Sequence, residues 1–210
     1  MSGLIGKKIG MTSLFDDKGR IRPCTVIKAG PCTVTQIKDQ NKDGYDAIQL
    51  SYDDLKKDKI NMPISGHFKK SNSQPKKKTI EFKNFRNKEL KLLKLGMELK
   101  LNDIFRVNDF LDVKSISKGK GFQGVVKRHN FSGVGESTHG QHNRQRAPGS
   151  IGAGSTPSRV FKGMRMAGRM GGKSIKQQNL KVLKINKDDN LVYVLGSVPG
   201  YRNSYVILEK

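Results

Sequence analysis

The sequence predicts a mainly β protein in which a barrel carries a small inserted subdomain of mixed helix and strand and a long, extended basic loop. Three observations predict it. Short apolar or alternating segments bounded by turn residues occur towards both ends of the 210-residue chain. A lysine-rich, irregular stretch interrupts them at 55–95. A second interruption, at 114–173, combines basic charge and glycine in a way that no ordinary globular surface does.

Taken in order, strand-like text covers 21–29, then 32–38 with threonine at alternating positions, then 45–52 and 97–101. Residues 107–117 form a further strand that leads into the basic segment. Beyond it, 180–185 and 191–198 flank Asn186-Lys187-Asp188-Asp189-Asn190, whose side chains suit a hairpin turn, and 205–208 closes the chain. Strands on both sides of the basic segment are expected in one sheet, which makes that segment an insertion. The expected division is a barrel from 1–54, 96–117 and 174–210, a subdomain at 55–95 with a helix including 88–94, and a loop at 118–173. In the subdomain, Lys69-Lys70 and Lys76-Lys77-Lys78 surround Ser71, Asn72, Ser73 and Pro75. That run reads either as a weaker second contact or as a solvated loop. Cys24 and Cys32 lie in apolar strands with no metal-ligand spacing around them, so both are expected as buried free thiols.

Charge narrows the function. Forty-one Lys and Arg face 18 Asp and Glu, a formal +23, while 34% of residues are hydrophobic. Self-repulsion of this size asks for a polyanionic partner, and phosphate backbones gain from each counterion displaced. The charge is concentrated: residues 114–173 carry twelve basic residues against the single acid Glu136, with 13 of the 23 glycines and three of the four histidines. No amphipathic helix, lipid anchor or signal-like start is evident, and the longest apolar run is 191–195, so a membrane is not expected and the cytoplasm is.

The motifs point the same way. Gly119-Lys120-Gly121-Phe122-Gln123-Gly124 matches a dinucleotide fingerprint literally, but that site needs an acid about twenty residues on, and 140–146 has none. It is better read as a turn that brings phosphates to Lys118, Lys120, Lys127 and Arg128. Gly3, Gly6, Lys7 and Lys8 lack the spacing and the hydroxyl of a nucleotide-binding loop, which leaves Lys7 and Lys8 as candidate RNA contacts. His129, His139 and His142 have no carboxylate or thiol to complete a metal site, and Arg144 and Arg146 would repel a cation, so base stacking or phosphate bonding is expected. Between 113 and 187 the sole carboxylate is Glu136, too little to orient a catalytic group. No enzyme, metal, cofactor or small-molecule substrate is expected.

Polar residues 141–146 precede a run of small ones, 147–157, bounded by prolines. Arg159, Lys162, Arg165, Arg169 and Lys173 then recur among Phe161, Met164, Met166 and Met170, and Gly163, Gly168, Gly171 and Gly172 favour an extended, cation-lined strand over a helix. The strongest phosphate candidates are Arg144, Arg146, Arg159, Lys162, Arg165 and Arg169, where a guanidinium can bond in a bidentate manner. The segment is expected to be disordered alone and ordered by RNA. Going out and back, it reaches about 100 Å at roughly 3.3 Å per residue when fully extended. Duplex DNA has no interior of such depth; a large folded RNA does. The rivals are a free-standing basic nucleic-acid chaperone and an enzyme on a small barrel, such as a flavin-dependent reductase.

Four ordered motifs resemble the universal ribosomal protein L three of the large subunit in its bacterial form. They are Gly3-Leu4-Ile5-Gly6-Lys7-Lys8-Ile9-Gly10-Met11-Thr12, Gly66-His67-Phe68, the stretch 117–131, and 148–157 continuing through Val160-Phe161-Lys162-Gly163 and Met166-Ala167-Gly168. The resemblance implies a translation-protein-type β-barrel and a loop running through large-subunit rRNA toward the peptidyl transferase centre. It implies early action in assembly, neighbours of the L fourteen and L nineteen families, and one copy rather than a homo-oligomer. By position, the tip is Gly149, Ser150, Ile151, Gly152, Ala153, Gly154, Ser155 and Thr156. Some bacterial members carry a methylated glutamine where Ser155 stands here, so that modification is not expected. Ala153 and Gly154 likewise replace bulkier polar residues.

Overall fold

A computed structural model describes residues 3–83, 93–135 and 139–210. In chain order its strands are β1 (Gly3–Phe15), β2 (Ile21–Ala29), β3 (Cys32–Lys38), β4 (Ala47–Asp54), β5 (Lys76–Lys83), β6 (Glu98–Leu99), β7 (Phe110–Ile116), β8 (Phe122–Gln123), β9 (Gly168–Arg169), β10 (Ser174–Asn186), β11 (Leu191–Leu195) and β12 (Tyr205–Glu209). Among the described residues the short α-helices are α1 (Gln40–Asp43), α2 (Met62–Lys69), α3 (Leu101–Ile104) and α4 (Val125–His129). The chain divides into two compact units, Met1–Ser117 with Ser174–Lys210, and Lys118–Lys173.

The first unit is built on a closed barrel in the order β1-β12-β7-β10-β11-β2, all neighbours antiparallel. Alternation in the sequence becomes alternation of faces: β11 buries Val192 and Val194, and β12 buries Val206 and Leu208, with their neighbours partly exposed. Each such side chain contributes about 1.5–3 kcal/mol relative to an exposed one. Gly6 lets β1 approach β2, since a Cβ there would lie 2.6 Å from the Lys28 carbonyl oxygen. The β10–β11 turn forms at 187–190, where the Asn186 side chain donates to Asp189 (2.8 Å) and accepts from the Asp188 amide (3.2 Å).

The expectation that 32–38, 45–52 and 97–101 belong to the barrel is corrected. They form β3, β4 and β6 of a separate sheet, ordered β5-β4-β3-β6. Period-two patterning reports which face of a strand is buried, not which strand lies beside it. Here Ile48, Leu50, Tyr52 and Phe82 pack into one hydrophobic cluster with Leu4, Ile5 and Val113 of the barrel, so the two sheets share a core. The lysine run is also not irregular throughout. Lys76 to Lys83 is strand β5, paired along β4 from Asp54↔Lys76 to Ala47↔Lys83. The Lys76 ammonium lies 2.6 Å from the Asp54 carboxylate, and Lys38 lies 2.8 Å from Glu81. The expected helix at 88–94 falls mostly outside the described residues, and Leu93 and Lys94 are not helical.

The second unit is inserted between β7 and β10. Ile116, at the end of β7, pairs with Ser174, at the start of β10, so the inserted segment leaves and rejoins adjacent hydrogen-bonded strands. Cys24 and Cys32 are buried free thiols, and burial pushes the Cys32 thiol up to about 12.

Candidate nucleic-acid interface

The unit at 118–173 begins with a narrow, closed base. β8 pairs with β9, Phe122 opposite Arg169 and Gln123 opposite Gly168. The ribbon is lengthened by bonds from the Lys120 amide to the Met170 carbonyl and from the Met170 amide to the Gly121 carbonyl, both 2.9 Å. Gly171 has a left-handed backbone (φ 71°), and any Cβ there would collide with the Lys118 carbonyl. The literal G-x-G-x-x-G therefore sits in a ribbon rather than at the turn of a nucleotide-binding βαβ unit.

Helix α4 follows, starting after Gly124 and ending on Asn130 in the left-handed conformation (φ 60°). It buries Val125 and turns the Arg128 and His129 side chains back onto the returning chain. Arg128 Nη1 donates to the Met166 carbonyl (2.5 Å), and His129 Nε2 lies 3.1 Å from the same oxygen, which requires that nitrogen to carry its proton. Gly168 makes this latch possible, because a Cβ there would stand 2.6 Å from Arg128 Nη1. Farther out, the Val134 amide donates to Gln145 (3.1 Å) and the Ala147 amide to Arg144 (3.0 Å). The tip curls on itself: Ser150 Oγ donates to the Gly152 carbonyl (3.1 Å) and the Ser158 amide to the Gly154 carbonyl (3.2 Å).

Residues 148–167 are all exposed, the tip 149–156 included. Lys118, Lys120, Lys127, His139, His142, Arg144, Arg146, Arg159, Lys162, Arg165, Arg169 and Lys173 are exposed too, while Arg128 and His129 are half-buried in the latch. Arg159 lies over the Phe161 ring at 5.2 Å. The expected continuous strand over 159–173 is corrected. A turn closes from the Phe161 carbonyl to the Met164 amide at 3.3 Å, with Gly163 at φ 91°, and only Gly168–Arg169 is strand. Glycine that favours extension also permits reversal.

The electrostatics of the two units differ in kind. All seven ion pairs found among the described residues lie in the barrel unit, involving Lys7, Arg22, Lys38, Lys76, Lys176 and Lys210. The inserted unit holds eleven Lys and Arg, and its one acid, Glu136, lies outside the described residues.

Lys7 and Lys8 do not share the surface expected of them. Adjacent residues in a strand point to opposite faces. Lys8 is buried and donates to the carbonyls of Val198 (2.6 Å) and Gly200 (3.3 Å). Lys7 is half-buried, 2.7 Å from Asp53 and over the Tyr205 ring at 5.3 Å. Tyr205 also donates to Asp53 (2.5 Å). Burial works to raise the Asp53 pKa, but the Lys7 and Tyr205 hydrogen bonds and nearby positive charge outweigh it and hold the carboxyl below its ordinary value. Composition drew attention to the two lysines; strand alternation was the signal that separates their roles.

The family model of ribosomal protein L3 matches residues 26–193. Over 209 residues the chain is 52% identical to the large ribosomal subunit protein uL3 of Salinibacter ruber, a match covering 100% of this chain and 99% of that protein. The chain belongs to the ribosomal protein L3 family. It is a ribosomal protein, a structural constituent of the large subunit and not an enzyme. The motifs that carried the resemblance now have places in this L3-family chain. The first makes up most of β1, with Leu4 and Ile5 in the shared core. In Gly66-His67-Phe68, Phe68 is buried in α2 and His67 Nε2 meets the Gln49 side chain at 2.7 Å. The third forms the ribbon and α4 at the base of the inserted unit, and the fourth holds the tip and the returning strand β9.

Proposed function

We propose that this chain binds large-subunit rRNA directly through residues 118–173, enters the subunit early in its assembly, and carries residues 149–156 toward the peptidyl transferase centre. The observation that carries the reading is the concentration of eleven Lys and Arg in a unit whose sequence has one acid, whereas in the barrel unit seven acids are engaged in ion pairs with its own cations. Eleven cations on a 56-residue segment repel one another until phosphates neutralise them. Arg144, Arg146, Arg159, Lys162, Arg165 and Arg169 meet phosphates where RNA helices crowd, with Lys118, Lys120, Lys127 and Lys173 nearer the base. His139 and His142 stack on bases or bond to phosphate. Arg128 and His129 act chiefly by closing the base of the segment. One copy sits in the particle beside proteins of the L fourteen and L nineteen families and supports catalytic RNA without chemistry of its own.

Depleting the protein and sedimenting the cell extract tests this reading. Mature large subunits should decline and incomplete particles accumulate; intact large subunits assembled without the protein would overturn it.

A further inference from the structure

The barrel carries a second cationic projection that the basic insertion does not explain. Beyond Lys7, the last partner of β12, and Cys24, opposite Leu195 of β11, the β1–β2 hairpin continues as a two-stranded ribbon to the pair Phe15↔Ile21. Its last backbone bond to the rest of the barrel is from the Gly196 amide to the Pro23 carbonyl. Two-stranded ribbons are marginal in water unless something packs on them. Residues 11–13, 15 and 21–23 of this one are exposed, Phe15 and Ile21 at its end by 74% and 64%.

The tip is nevertheless built to a fixed shape. Asp16 Oδ1 accepts from the amides of Lys18 (3.0 Å) and Arg20 (2.9 Å), and its other oxygen accepts from Arg22 Nε (3.1 Å). That turn occupies its own acid and leaves Lys18 and Arg20 without a carboxylate partner among the described residues. Between the ribbon and β10 lies a groove of about 530 Å³ whose lining includes the apolar Leu14, Phe15 and Leu183 and the cations Arg22, Lys181 and Lys184. The lining also holds Asp16 and Asp17; Arg22 is paired with Asp16, which leaves Lys18, Arg20, Lys181 and Lys184 as the four cations of tip and groove without an ion-pair partner among the described residues. An exposed aromatic face among unpaired cations is the chemistry that takes an unpaired nucleotide, base on the ring and flanking phosphates on the lysines and arginine.

We infer that the β1–β2 hairpin tip and its groove are a second RNA site, in which Phe15 stacks on an unpaired base of the rRNA while Lys18, Arg20, Lys181 and Lys184 hold the adjoining phosphates. The inference rests on the proposed rRNA-binding function. It adds a contact on the barrel, away in sequence from 118–173. A protein partner that buries Phe15 and Ile21 is the competing occupant.

The probe is deproteinised large-subunit rRNA, with the full-length chain. Both native thiols are buried, so a hydroxyl-radical source can be tethered to the exposed thiol of an S13C chain. Cleavage at one local group of rRNA nucleotides is expected in the complex. Phe15→Ala should weaken binding by roughly five-fold or more, the scale of losing one aromatic–base stack. Arg20→Gln, which leaves the apolar face intact, should lower the salt slope by about 0.7. A complex that forms normally yet shows no cleavage from S13C, with both variants binding as the parent does, overturns the inference alone. Failure of the parent chain to bind the rRNA overturns the proposed function beneath it. In reconstituted subunits, fragmentation of a neighbouring protein in place of rRNA assigns the tip to that protein and also overturns the inference.

Discussion

Replacing Arg144, Arg146, Arg159, Lys162, Arg165 and Arg169 by glutamine removes six of the eleven Lys and Arg between Lys118 and Lys173 and leaves every ion pair of the barrel unit in place. All six side chains are exposed. Each phosphate contact contributes about 0.7–0.9 to the slope of log K against log salt, so six contacts contribute about 4–5. Between roughly 50 and 200 mM salt the parent chain should therefore lose on the order of a thousand-fold more affinity for deproteinised large-subunit rRNA than the six-fold variant does. Filter binding across that range measures both slopes. Lys210→Gln serves as the control, because Lys210 is paired with Asp109 at 2.6 Å and should leave the slope within error of the parent. Equal slopes for parent and six-fold variant would refute the reasoning, since the cations of the insertion would then neutralise no phosphates.

The same structure sets three smaller expectations. Lys8→Met leaves the Val198 and Gly200 carbonyls without their donor and should cost about 1–3 kcal/mol in urea unfolding, with no change in the salt slope of RNA binding. Asp53 has a folded pKa below its ordinary value of 3.8, so its contribution is fully present above that pH and is lost as pH falls through the lower folded value. The urea midpoint of the parent should thus drop in the acid range, and the drop should be smaller in Asp53→Asn. Gly168→Ala displaces the Arg128 guanidinium from the Met166 carbonyl, and hydrogen exchange should then speed up at the Lys120 and Met170 amides while the β11 and β12 amides are unaffected.

How much of this was legible beforehand depends on what each residue's neighbours do. β11 and β12 were readable because one face of each meets the core and the other water, so Val192, Val194, Val206 and Leu208 fall on alternate positions. β5 was hidden because Lys76, Lys77 and Lys78 read as a solvated run; the acid that accommodates Lys76, Asp54 at the end of β4, becomes its neighbour only when β4 and β5 pair. The first six residues of β10 were missed for the opposite reason: 174–179 are exposed and mostly polar, and their strand state is set by the ladder to β7. Sheet membership was not encoded locally at all, which is why β3 and β4 were assigned to the barrel.

For the inserted unit, charge and glycine content marked the segment, since no core constrains it and composition is the main signal there. The Arg128 and His129 latch onto Met166 was out of reach, because it joins residues 37 and 38 positions apart through a backbone carbonyl. Lys7 and Lys8 could have been separated from sequence alone. A doublet within a strand cannot place both side chains on one surface, and here one faces Asp53 while the other is buried under the 198–200 turn.

The central claim is that the barrel folds without the outer part of the insertion and that the insertion is what binds the subunit's RNA. Deleting residues 141–161, joining the ends with a short glycine linker, and measuring incorporation into large subunits tests it most directly, with circular dichroism of the purified chain as the folding check. The prediction is an unchanged β spectrum together with impaired incorporation or peptide-bond formation. Full incorporation with normal peptide-bond formation, or loss of the barrel's β signal, would contradict it.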